Sequence, residues 1–117
     1  MRTIIVAGLL AAAASTGAAA QDVGGSYTVT GTNPDGSTYR GTAEIKAVAD
    51  ACHISWRTGS IKSAGICMRA NKAFAAYYHL GGDDGLVIYE ITADGSMSGW
   101  WTIADKKGVG TETLTPR

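Results

Sequence analysis

From residue 25 onward, apolar and polar positions alternate with period two, and Gly, Asp and Asn cluster wherever the alternation breaks. In "TYRGTAEIKA" the residues Tyr39, Gly41, Ala43, Ile45 and Ala47 share one face, and Thr38, Arg40, Thr42, Glu44 and Lys46 the other. This is a strand with one face on a core and one in water. Seven further stretches read the same way: "GSYTVTGT", "ACHISWR", "IKSAGICMR", "AFAAYYHL", "LVIYEIT", "MSGWWTIA" and "GVGTETLT". No window holds a 3.6-residue period, so no helix is expected.

The connections "NPDG", "VAD", "TGS", "ANK", "GGDDG", "ADGS" and "DKKG" are all short. A parallel crossover needs a dozen or more residues, so sequential strands must be antiparallel neighbours. The expected fold is all-β: an eight-stranded antiparallel up-and-down barrel, which removes unpaired sheet edges by closing. A two-layer sandwich of the same strands is the alternative. The repeated "DGSTYRGTAEI" and "DGSMSGWW" read as one hairpin turn used twice. Neither places carboxylates or amides at the third and fifth positions of a calcium loop.

Residues 1–20 break this pattern. "MR" is a short positive start, "TIIVAGLLAAAA" an apolar run too short to span a bilayer, and Ala18 and Ala20 occupy the small-residue positions of a cleavage site. They read as a signal peptide (1–20) preceding a single barrel domain (21–117), with no membrane span after cleavage. The protein is therefore expected to be periplasmic or secreted. The formal net charge of zero and the absence of any basic run argue against a nucleic-acid partner.

Alternation also assigns directions to individual side chains. With Gly59 and Ser60 as a two-residue loop, Thr58 faces Ile61, and counting back residue by residue sets Cys52 opposite Cys67. An exported chain with these as its only cysteines should join them in a disulfide. Trp101 shares a face with Met97, Gly99 and Ile103, and so points inward. Its neighbour Trp100 must then point outward, as must Tyr77 beside an inward Tyr78. Tyr77 and Trp100 form a candidate binding surface. Glu112 shares a face with Gly110 and Leu114, which turns a carboxylate toward the interior. Arg69, on the face of Cys67, is its expected ion-pair partner. The lone His53 and His79 match no metal spacing, and no catalytic motif is present, so neither metal nor cofactor is expected and the protein reads as a non-enzyme.

The opening "GSY" resembles the start of the calycin superfold of avidins and lipocalins, with Tyr27 in place of the Trp of G-x-W. The segments "NPDGS", "GICMR" and "GTETL" are similar to those of an uncharacterised family of small exported bacterial β-barrel proteins, some of which carry a fibronectin-binding label. No binding residue follows from that label. Taken together, these readings lead one to expect a monomeric exported barrel that binds a protein or cell-envelope component. A small-ligand carrier and an inhibitor of a secreted hydrolase are the alternatives. The bulk of the inward Tyr, Trp, Ile and Val side chains leads one to expect a filled interior.

Overall fold

The computed structural model describes residues 23–117, and the expected signal peptide lies outside them. Eight strands follow one another: β1 (Gly25–Thr32), β2 (Thr38–Val48), β3 (Ala51–Thr58), β4 (Ile61–Ala70), β5 (Ala73–Leu80), β6 (Asp83–Ile91), β7 (Met97–Ile103) and β8 (Gly110–Pro116). Each pairs antiparallel with the next, and β8 returns to β1, closing the barrel. Closure decides between the two architectures considered above: a sandwich would leave four strand edges unpaired, and here none remains. No helix among the described residues is long and apolar enough to cross a membrane.

The barrel has two different ends. Loops 33–37, 59–60, 81–82 and 104–109 lie at one; loops 49–50, 71–72 and 92–96 lie at the other, together with Val23 and Arg117. The two Asp-Gly loops use the same hydrogen bonds at opposite ends. Asn33 N–H donates to Ser37 C=O, and the Asp35 carboxylate accepts from Ser37 N–H at 2.9 Å; Thr92 N–H likewise donates to Ser96 C=O, and Asp94 accepts from Ser96 N–H at 2.9 Å. They are Asx-type turns that set hairpin register.

Inward residues form one core, with Val29, Ile54, Phe74, Tyr89, Met97 and Leu114 its most deeply buried large side chains. Phe74 and Tyr89 stack with centroids 5.8 Å apart. Cys52 faces Cys67 across β3 and β4, Cα atoms 4.9 Å apart, and the two are joined by a disulfide inside the core. The alternation holds at the tryptophans: Trp100 lies on the outer wall and is 63% exposed, whereas Trp101 points inward. Trp101 is only half-buried, because it stands at the barrel mouth.

Glycines on the inner face allow so tight a closure. Gly41, Gly65 and Gly99 stand where the backbone of the adjoining strand passes within contact of the missing side chain. At Gly41 and Gly99 there is no bulge: the pairing runs residue by residue through both.

Candidate functional site

The inner face is mostly apolar near the termini, where Arg69 is the charged exception, and becomes more polar toward loops 33–37, 59–60, 81–82 and 104–109. At that end three inward aromatic residues sit opposite a glycine on the next strand: Tyr39 opposite Gly31, Tyr78 opposite Gly85, and Trp101 opposite Gly110. In each pair the ring lies over the glycine, in the space a Cβ would need. A ring that lies flat on a neighbouring strand leaves the barrel axis open. The result is a cavity of about 180 Å³ beneath the mouth. The interior is thus filled at the end carrying the termini and hollow at the other. Summed side-chain bulk, which predicted filling, takes no account of rings that lie against the wall.

Glu112 forms the polar floor of this cavity. It is the third residue of β8, flanked by Gly31 on β1 and Gly99 on β7, so neither neighbour's side chain covers it. The carboxylate accepts hydrogen bonds from Tyr39 Oη at 2.7 Å, from Trp56 Nε1 at 2.8 Å and from the Tyr89 hydroxyl. Trp56 in turn packs edge-on to Tyr78, with centroids 5.4 Å apart, and Tyr39 packs edge-on to Trp101. The outer hydrogen bonds are also in place: Tyr78 Oη donates to Thr102 C=O and Trp101 Nε1 to Thr111 C=O. Every ring of the wall therefore has a fixed orientation.

Three neutral donors hold Glu112, and Arg69 does not. This corrects the expected ion pair: Glu112 does turn inward, but Arg69 lies at the opposite end of the barrel, next to loop 71–72, where its Nε donates to Asn71 C=O at 2.8 Å. Its charge there bears on the Tyr27 hydroxyl. Sharing an inner face is not enough to make a contact. β4 and β8 run in the same direction, and Arg69 is near the end of its strand while Glu112 is near the start of its own.

Burial drives the electrostatics. Desolvation pushes the Glu112 carboxyl above its ordinary value of 4.5, against the opposing pull of hydrogen bonds from Tyr89, Tyr39 and Trp56. Burial, reinforced by the Glu112 charge, raises Tyr39 and Tyr89 far above the usual phenol range and pushes Tyr78 up to about 12. The phenols stay protonated and keep donating.

A pH dependence follows. A carboxyl raised on folding binds its proton more tightly in the native state, so its contribution favours the fold below 4.5 and is lost as pH rises through the raised value. Asp35, Asp84 and Asp94 are lowered by local hydrogen bonds, so their contribution is lost only below their ordinary 3.8. Urea melts at pH 4.5 and at neutral pH should show the parent losing stability across that interval and Glu112→Gln losing less. Equal losses would mean that Glu112 is no more desolvated in the fold than in the unfolded chain.

The other residues singled out by sequence lie elsewhere. Tyr77 is 42% exposed on the outer wall and donates to Asp84, whose carboxylate also meets His79 Nδ1 at 2.9 Å. Trp100 shares that wall. The disulfide of Cys52 and Cys67 belongs to the filled half. Tyr39, Trp56, Tyr78 and Trp101 line the cavity, and alternation in the sequence marks them only as inward residues. The signal that would have marked three of them is the pairing of an inward aromatic with a glycine across a hairpin, legible by counting from each turn.

No protein-family model matches the chain, and no curated protein is similar to it. Solved structures do match. A redesigned β-barrel, mFAP1, bound to DFHBI superposes with a TM-score of 0.68 at 20% identity, over 81% of this chain and 95% of that one. A second redesigned barrel gives 0.70 at 17% identity over 82% and 92%. The REP1-NXSQ fatty acid transporter gives 0.53 at 16% identity over 82% and 96%. At these identities the likeness shows the fold alone, a closed eight-stranded barrel.

Proposed function

We propose that this protein is an exported, non-catalytic barrel that takes a small ligand into its open end. The carrying observation is the cavity of about 180 Å³ with a buried carboxylate in its lining and oriented aromatic rings as walls. A concave, mostly apolar space with few placed polar groups is the usual form of a small-molecule site. Among the similar barrels, one is described as bound to DFHBI and another as a fatty acid transporter, which supports a binding role for this architecture. Glu112 spends its hydrogen bonds on fixing the rings, which suits recognition rather than proton transfer. The buried disulfide and the N-terminal segment support export to an oxidising compartment.

Binding can be read from Trp56 and Trp101, both in the cavity wall. A panel of small anionic, neutral and cationic compounds should include members that change the tryptophan fluorescence and raise the melting temperature. Ser63→Trp, which fills the mouth, should abolish both effects while the barrel stays folded. Ligand effects that persist in Ser63→Trp would place binding outside the cavity.

A second reading rests on the outer wall. Ile66, Tyr77 and Leu86 form one cross-strand row, and Met68, Ala75, Ile88 and Trp100 the next. Ile66, Met68, Leu86, Ile88 and Trp100 are each more than half exposed. Contiguous apolar surface of this kind marks macromolecular contact, so this wall would dock an exported protein. A photo-crosslinker placed at Trp100 should then trap one discrete protein adduct that Leu86→Lys eliminates; an adduct unaffected by Leu86→Lys counts against this wall.

A further inference from the structure

We propose that the ligand of the open end is a compact organic cation, an ammonium or quaternary ammonium head, held against Glu112 inside the ring of Tyr39, Trp56, Tyr78 and Trp101. This rests on the small-ligand reading above and narrows it. Of the residues lining the cavity, Glu112 is the only one with a carboxyl side chain, and the lining holds no Lys, Arg or His. Its hydrogen-bond partners, Tyr39, Trp56 and Tyr89, are neutral. They orient the charge and spread it without cancelling it. The lining sets no cation against this carboxyl, so entry of a cation would supply the missing partner and favour the ionised form that burial disfavours.

The oxygens are not saturated. Oε2 accepts from Trp56 and Tyr89, whereas Oε1 accepts from Tyr39 alone among the described residues. A carboxylate has about four acceptor positions, so Oε1 keeps one that an ammonium N–H can use. A quaternary head needs no such bond and is held by charge alone.

The walls suit the same guest. Aromatic faces carry negative quadrupole potential and attract cations, most strongly for Trp, and cages of this composition are the known solution for quaternary ammonium groups. Tyr39 and Trp101 form one edge-on pair and Trp56 and Tyr78 another. The volume, about 180 Å³, is close to the roughly 150 Å³ of an engineered cavity that takes up benzene. That limits the buried part to one compact head or ring. An anionic head, such as the carboxylate of a fatty acid, would be set against Glu112 and repelled.

Choline and tetramethylammonium are the cationic probes, 3,3-dimethylbutanol the uncharged shape match for choline, and benzoate the anionic probe of similar bulk. Choline should quench the tryptophan fluorescence of the parent and bind at least tenfold more tightly than 3,3-dimethylbutanol, with benzoate weaker still. Glu112→Gln should remove the preference for choline. Trp101→Leu, at the mouth and making no hydrogen bond to the carboxylate itself, should weaken choline at least fivefold; it keeps the test open if Glu112→Gln does not fold. Equal binding of choline and 3,3-dimethylbutanol, or preference for benzoate, overturns the cationic class while leaving the cavity as a ligand site. Failure of all four compounds, together with silence from the wider panel, overturns the ligand site itself.

Discussion

Gly99→Val should leave the chain without a closed barrel, and Gly99→Ala should already cost about 3 kcal/mol or more. A Cβ built on Gly99 would stand 1.7 Å from the backbone oxygen of Ile88 and 2.8 Å from Tyr89 Cα. Both obstacles are main chain, tied into the ladder between β6 and β7, so no side chain can swing aside. Gly65 is in the same position, 1.7 Å from the backbone oxygen of Tyr77, and Gly65→Ala should behave alike. The control is Gly82→Ala in the loop between β5 and β6, where nothing lies within 4 Å of the added carbon; it should change stability by no more than about 0.5 kcal/mol. Soluble yield, far-ultraviolet circular dichroism and denaturant melts give the comparison. A Gly99→Ala protein as stable as the parent would mean that β6 and β7 do not approach each other this closely.

Losing the disulfide ranks next. Cys52 and Cys67 are separated by 15 residues, and a cross-link closing a loop of that length contributes about 3 kcal/mol in the chain-entropy model. For a domain of this size that corresponds to a drop in melting temperature of roughly 12–24 °C. Replacing both cysteines with Ala should produce this drop, with a further small loss for the buried sulfur volume. Because both residues are buried, reductant should act on the native protein slowly and at a rate that follows unfolding. A double variant that melts within a few degrees of the parent would show that the hairpin of β3 and β4 is already held by its ladder.

The glycine prediction comes from the structure, the cysteine prediction from positions the sequence marks. The cysteines were found by register: once a two-residue loop is set at Gly59 and Ser60, the opposed pair follows by counting, and the structure pairs them as counted. The same counting separates Trp100 from Trp101 and turns Glu112 inward. It works because a short hairpin fixes each residue's partner through local geometry alone. Had it been carried to every hairpin, it would also have revealed Tyr39 over Gly31, Tyr78 over Gly85 and Trp101 over Gly110. Hairpin parity likewise places Arg69 and Glu112 at opposite ends of the barrel.

What counting could not reach is the contact between distant strands. The donors to Glu112 come from β2, β3 and β6, and the carboxylate from β8. Their meeting depends on how far the strands stagger as the sheet closes, a property of the whole barrel that no single hairpin encodes. The same stagger sets which rings reach the mouth and how much space they leave between them. Sequence alone determined the strands, their order, their faces and the disulfide, because each depends on neighbours in the chain or on a period of two. Only the tertiary structure decided that one end is filled and the other hollow, and that a carboxylate with three neutral donors forms the floor, because closure joins residues 79 positions apart, as in the contact of Thr32 with Thr111.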